Sequence, residues 1–392
     1  MSRWPVVALK DAAEIVSGGT PKSEIEEYWD GDIPWVTPKD LSDLDGPFIS
    51  TTPRSITELG LKNSSATLLP ANSVLFSSRA PIGHVAINTI AMATNQGFKS
   101  LVPKPDVSHA GYLYHWLRAN RAYLEGLGNG ATFKEVSKAV VAKVEIPLPP
   151  IDEQRRIAAI LDHADALRAK RREALARLDE LTQSIFIDMF GDPATNPKNL
   201  EFVTIGDLLE SAQYGTSEKN GADGRFAVLR MNNITYQGQM DLADLKYTDL
   251  PDEKVDRFTV RAGDVLFNRT NSPELVGKTA VYRGERPMAF AGYLVRLRVS
   301  DGNSPEYISA FLNSRYGKSV LRGMCKSIVG MANINAREVQ SIRIPKASPS
   351  AQREFEQRVA LVESSKTGHR NALAELDALF ASLQSRAFRG EL

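Results

Sequence analysis

Few residues in this chain combine the type and the spacing that chemistry requires. The adjacent carboxylates Glu26-Glu27 and Asp252-Glu253 could share a proton in acid–base work. No second constellation accompanies either pair, so both read as solvated loop charge. The five histidines, at 84, 109, 115, 163 and 369, lack metal-ligand spacing, and one cysteine cannot build a zinc site. That cysteine, Cys325, has no base near it in the sequence and reads as a small apolar filler. The run Gly18-Gly19-Thr20-Pro21-Lys22-Ser23 superficially resembles a phosphate loop, but the GxxxxGK[ST] spacing is absent. These residues point away from catalysis and toward binding.

Bulk composition is that of an ordinary globular protein, with 42% hydrophobic and 24% charged residues in 392. That length allows two to four domains, each with its own core. A lone cysteine rules out an intramolecular disulfide and suits a reducing compartment. No 18-residue apolar run and no signal-peptide core occur, so the chain is expected in the cytoplasm. The net charge of +1 is low for a stand-alone nucleic-acid binder. Any polyanion would have to be held by local patches or by partner proteins.

The elements that must position the binding groups come in two copies. Ile146-Pro147 matches Ile344-Pro345, and Gln154-Arg155 matches Gln352-Arg353, each 198 residues further on. The offset then holds through a long helical pattern to Phe190 and Phe388. The regions before these helices match more loosely: Asp11 with Asp207, Gly19-Thr20 with Gly215-Thr216, and Val74-Leu75-Phe76 with Val265-Leu266-Phe267. A repeat of this size is too long for a solenoid and means a duplicated module.

Each copy opens with a β-like run and a loop in which Gly19 or Gly215 is expected to take positive φ. Short apolar runs bounded by Pro, Gly, Asn and Asp follow, as strands do. They are IPWVT (33–37), SVLFSS (73–78), GHVAI (83–87), FAVLRM (226–231), DVLFNR (264–269) and KTAVYR (278–283). A short amphipathic helix closes each copy, over AGYLYHWLRANRAYLEGL and PEYISAFLNSRYGKSVLRGM. The fold class is therefore α+β, with two pseudo-symmetric units: residues 1–150 and 192–348, separated by long helices over 151–191 and 349–392.

Both long helices start just after proline, with Asp152 and Ser350 expected as N-caps, and the first stops at Phe190-Gly191-Asp192-Pro193. At ~1.5 Å per residue the first would be a rod roughly 58 Å long. One heptad frame fits both. Leu161, Leu175, Leu178 and Ile185 fall on the seam of the first, and Val359, Val362, Leu373, Leu376 and Leu383 on that of the second. Arg168, Arg171, Lys366 and His369 also fall there. Such cations either meet acids or water, or mark where the seam opens for register or a partner. An antiparallel coiled coil would satisfy the connectivity, with the globular halves at opposite ends.

The run IPLPPIDEQRRIAAILDHADALRAKRREALARLDELTQSIFIDMFGDPATNP resembles the central conserved region of type I restriction-modification specificity subunits. GMANINAREVQSIRIP followed by AQREFEQ resembles the matching C-terminal region, with KASPSAQ in place of LPPIDEQ. The resemblance covers the whole chain. It implies two target-recognition domains, each followed by a conserved spacer helix, in a non-catalytic reader of double-stranded DNA. It further implies two methylation subunits docked on the helices for adenine-N6 methylation, with S-adenosylmethionine in those subunits. Up to two restriction subunits using ATP and Mg could join them. Consistent with this, no Asn/Asp-Pro-Pro-Tyr/Phe motif is present; the nearest run is Gly191-Asp192-Pro193. A catalytic DNA enzyme and a coiled-coil adaptor without a DNA role are the alternatives.

Under that resemblance, base reading needs forked or bidentate side chains on rigid loops, and phosphate contact needs cations and hydroxyls. The candidates in the first half are Thr20, Lys22, Lys39, Arg79, Gln96, Lys99, Thr132 and Lys134. In the second half they are Tyr214, Thr216, Lys219, Arg230, Asn232, Asn233, Arg269, Asn271, Lys278, Asn333 and Asn335. Arg79 and Arg269 stand out because both follow the matched VLF strand. The alternative for each is a surface salt bridge; Asn232-Asn233 could be a turn, and Asn333 and Asn335 could cap local backbone.

Overall fold

A short antiparallel ladder ties the start of each globular half to its end. Val6–Ala8 pairs with Glu145–Pro147, and Phe202–Thr204 with Arg343–Pro345. The computed structural model describes residues 4–44, 46–79, 81–129, 134–272, 274–325 and 332–392. It divides into two compact units: residues 1–171 with 372–392, and residues 172–371.

In the first unit a five-stranded sheet runs in the order Ala13–Ser17, Lys99–Pro103, Val74–Phe76, Val85–Asn88, Phe48–Ile49. Val74, Leu75 and Phe76 are buried on both faces of a central strand, which is why the run is continuously apolar and not alternating. A second sheet orders Ser55–Ile56, Trp29–Val36, Ala93–Thr94, the last pair parallel. In the second unit the matching sheets are Leu209–Tyr214, Leu294–Val299, Val265–Asn268, Thr279–Val281, and Lys246–Thr248, Phe226–Leu229, Met288–Phe290, Thr259–Val260. Each copy's amphipathic segment forms two helices, not one. The first breaks at Asn120 and the second at Ser314, whose hydroxyl accepts from the Gly317 N–H at 3.0 Å and so caps a new start.

The long helices span Ile151–Phe190 and Pro349–Arg389. Each starts earlier than the expected caps allow, so Asp152 and Ser350 lie inside the first turn. In the second helix Ser348 takes the role instead, its hydroxyl accepting from the Ala351 N–H at 3.3 Å. Gly191 and Gly390, at φ +81° and +77°, end the helices in the left-handed conformation. Within the first unit Ile157, Leu161 and Ala164 share one core with Phe380 and Ala387. Within the second, Phe186 and Phe190 share one with Phe355 and Val359. Early residues of one helix thus meet late residues of the other in both units, the antiparallel arrangement.

Two anchors recur bond for bond. Gln154 and Gln352 are both buried, and their side-chain oxygens accept from the His109 and Ser304 N–H groups at 2.9 and 2.8 Å. Their amide nitrogens donate to the carbonyls of Pro149 and Ala347. Tyr112 and Tyr307 donate to the carbonyls of Pro147 and Pro345, each at 2.6 Å. These bonds fix the start of each long helix against the helix Ala110–Ala119 or Pro305–Asn313 of its own unit.

Candidate nucleic-acid interface

In the first unit the loop after strand Ala13–Ser17 is held by close approach, not by positive φ. A Cβ on Gly19 would stand 2.2 Å from the Ala66 nitrogen, and one on Gly18 only 1.9 Å from the Asn95 oxygen. Gly215 is hemmed in likewise by the Ala291 and Phe290 carbonyls at 2.3 Å. None of the three takes positive φ. Glycine is needed there because a neighbouring chain passes against the backbone.

That loop brings several predicted residues together. The Thr20 hydroxyl meets the Gln96 side chain. The Lys99 ammonium, beside the Gln96 carbonyl, also reaches Glu135 at 3.2 Å. Arg79 pairs with the same carboxylate at 2.6 Å. Burial works against the Glu135 charge, but hydrogen bonds from Arg79 and Lys99 outweigh it and hold the carboxyl below its ordinary range. Arg79 is thus in a salt bridge, and Glu135, absent from the sequence candidates, is what holds it. Lys22, Lys39 and Lys134 are exposed. Thr132 lies outside the described residues.

The second unit builds a different surface at the matching place. The Arg269 guanidinium carbon lies 4.9 Å from the Tyr214 ring centroid, and the Tyr214 hydroxyl accepts from the Ala336 N–H at 2.9 Å. Asn271 and Asn333 sit on the paired strands Thr270–Asn271 and Ala332–Asn333. The Arg269 N–H bonds to the carbonyl of Tyr293, whose side chain is 53% exposed at the same edge. A lone aromatic in a glycine turn carries no periodic signal, so Tyr293 could not have been picked from sequence.

Arg79 and Arg269 are not backbone equivalents. The Val136 N–H bonds to the Ser78 carbonyl at 2.8 Å, and the Ile334 N–H to that of Arg269 at 2.9 Å. Ser78 therefore matches Arg269, while Arg79 opposite Glu135 matches Thr270 opposite Asn333. A one-residue slip along an extended chain turns a side chain to the other face.

Several candidates are committed inside the protein. Lys278 is only 8% exposed, donates to the carbonyls of Met231 and Ile234, and has its pKa lowered by burial. Asn233 is buried, accepting from the Arg230 N–H and donating to the carbonyls of Asp241 and Asp244. Both hold the turn Met231–Asn233. Asn335 caps the helix Ala336–Gln340. Thr216 is buried, its hydroxyl accepting from the Glu218 N–H. Arg230 pairs with Asp244 at 2.8 Å, Asn232 leans on the same carboxylate, and Lys219 is exposed.

On the long helices the seam residues Leu161, Leu175, Leu178, Ile185, Val359, Val362, Leu373, Leu376 and Leu383 are all buried or half-buried. Two of the mid-rod cations meet acids. Arg168 bonds Asp165 and Asp377 while lying over the Phe380 ring, and Lys366, 3% exposed, bonds Asp179 and Glu363. Among the described residues no cluster of His, Cys, Asp and Glu could hold a metal ion, and no helix is long and apolar enough to cross a membrane.

Duplicated α+β units anchored on an antiparallel helix pair, with unlike polar surfaces on like scaffolds, define a class. Residues 1–177 match the family model for the type I restriction modification DNA specificity domain. The chain is 38% identical over 226 residues to the type I restriction enzyme MjaIX specificity subunit of Methanocaldococcus jannaschii, a match spanning 53% of this chain and 52% of that relative. The matched segment is thus about half the length of that relative. Over 418 residues it is 23% identical to the type I restriction enzyme EcoKI specificity subunit of Escherichia coli, covering 99% of this chain and 89% of the other. Its fold is like that of the type I restriction-modification S subunit from M. genitalium, at a TM-score of 0.58 and 14% identity over 99% and 96% of the two chains.

Proposed function

We propose that the chain is a non-catalytic reader of double-stranded DNA, each globular unit recognising one half of a split target. In this reading residues 1–150 and 192–348 are the two recognition domains, and the helices over 151–191 and 349–392 set the unread gap. The helices also dock two methylation subunits for adenine-N6 methylation, and restriction subunits join optionally. S-adenosylmethionine belongs to the methylation subunits, and ATP with Mg to the restriction subunits. A protein acting on genomic DNA in this way works in the cytoplasm.

The observation that carries this reading is a contrast between scaffold and surface. The glutamine and tyrosine anchors and the sheet orders repeat in both units. The polar groups at the matching edge differ: Arg79 with Glu135 and the buried Lys99 in one, Arg269 with Tyr214 and Asn333 in the other. Two unlike half-sites read by one architecture require that combination. With a net charge of +1, backbone clamping falls largely to the partner subunits.

Exchange of residues 1–150 for the same region of another family member is expected to change one half of the methylated sequence and leave the other half intact. An unchanged target would refute two-domain reading. The gap is tested separately by adding one heptad to both long helices. That lengthens them by about 10 Å, or roughly three base-pair steps, without disturbing the seam. Methylation sites should then accept a longer gap; retention of the original spacing would show that the helices do not set it.

A further inference from the structure

We infer that Arg54, and not Arg79, is the arginine the first unit presents to DNA, and that it reads a guanine through a forked contact in the major groove. The inference rests on the DNA-reading function proposed above.

The backbone of Arg54 is pinned. Its carbonyl accepts from the Trp35 N–H at 3.0 Å and from the Thr52 hydroxyl at 2.6 Å, directly beside the ladder of Ser55–Ile56 on Trp29–Val36. Its guanidinium carbon lies 3.9 Å from the Trp29 ring centroid and 5.1 Å from that of Trp35. The two indoles stand edge-to-face at 5.1 Å, so neither can swing away alone. Their N–H groups are spent on the carbonyls of Lys22 and Gly19. The tryptophan pair therefore fixes two things at once: the loop carrying Thr20 and Lys22, and the plane of Arg54.

What Arg54 lacks is as informative. Arg79, Arg118, Arg121, Arg155, Arg156 and Arg168 of the same unit each pair with a carboxylate. Among the described residues, no carboxylate or carbonyl accepts from Arg54, although Glu27 and Asp30 flank Trp29 in the sequence. An exposed arginine immobilised on rings, with its five donors unspent, has lost much of the side-chain freedom that binding would otherwise remove. Its planar fork matches a two-acceptor edge, and guanine O6 and N7 supply one in the major groove.

The second unit keeps a cation at this place without the tryptophans. Val228 pairs with Ala289 in parallel, as Trp35 does with Ala93, and Lys246 stands opposite Val228 as Arg54 does opposite Trp35. Lys246 is exposed. The position is cationic in both copies, and the rigid forked version belongs to the first.

The test is selection from short duplexes with a randomised centre, by the complex purified through a tag on this chain. The wild type should recover a split motif. Arg54→Ala and Arg54→Lys should each lose preference for guanine at one position of one half, by about 5- to 150-fold, with the other half unchanged. Arg79→Ala should keep that guanine. Lysine retains the charge and the ring contact but not the fork, so loss in Arg54→Lys reads the fork itself and not the fold. Unaltered preferences in both Arg54 variants would overturn the assignment. So would weakening that is uniform across all sequences, which marks a phosphate contact. A wild-type complex that recovers no motif would instead refute the DNA-reading function on which the inference stands.

Discussion

Gln154 holds a larger share of the first unit's order than its neutral side chain suggests. Buried where the long helix begins, it accepts from the His109 N–H and donates to the carbonyls of Val107 and Pro149. Gln154→Leu keeps most of the volume but orphans those backbone groups, which water cannot reach. Each orphan costs about 1–3 kcal/mol, so with three of them a loss of at least about 3 kcal/mol is expected in urea unfolding. Gln154→Glu should be similarly destabilising, because a carboxylate cannot donate to two carbonyls. A stability change below about 1 kcal/mol in both would mean that the helix start is held by the apolar contacts alone. The repeat made this residue visible, since Gln352-Arg353 recurs 198 residues after Gln154-Arg155; its role as an anchor was not visible.

Among the elements, the helix Arg315–Met324 carries the clearest response to pH. Lys318 donates to the Gly277 carbonyl and lies over the Tyr236 ring, and burial, aided by Lys278 and Arg322, pulls its pKa down to about 8. The unfolded chain keeps that proton to about pH 10.5 while the folded one releases it near 8. Between those values the unfolded state binds more protons, so this lysine makes stability rise with pH across that window. Below pH 8 its charged form is a constant cost. Lys318→Met should therefore raise the thermal midpoint at pH 7, with an advantage that shrinks as pH climbs toward 10. An advantage that grows with pH would show that the ammonium is stabilised where it sits. The long helices obey a related rule: Arg168 and Lys366 are each met by an acid three residues earlier on the same helix, Asp165 and Glu363, and by one on the other helix, Asp377 and Asp179.

For the molecule as a whole, the last residues of the chain belong to the first unit. Phe380 and Ala387 lie in its core beside Tyr112, Leu161 and Ala164, and Phe388 packs edge-to-face on Tyr112 at 5.6 Å. Deleting residues 372–392 should raise hydrogen exchange across 110–165 and lower the melting temperature of that unit. Protection of the strands between 209 and 299 should persist. Equal loss in both units would instead make the chain a single cooperative body.

Much of this architecture was legible before any coordinates. The duplicated VLF runs are central strands because three consecutive apolar residues between turn formers can be buried on both faces. The long helices follow from an apolar repeat sustained over many turns and stopped by Gly191. Such patterns are local, or recur at a fixed offset, and a sequence displays both. Surface geometry is different, because it depends on which distant segments meet. Only the tertiary structure turned Lys278 inward onto two carbonyls and gave glycines 19 and 215 to close approach instead of positive φ. Only there do Trp29, Trp35 and Arg54 meet. Periodicity records which face of an element is buried; the partner that an exposed charge finds across the fold leaves no trace in it.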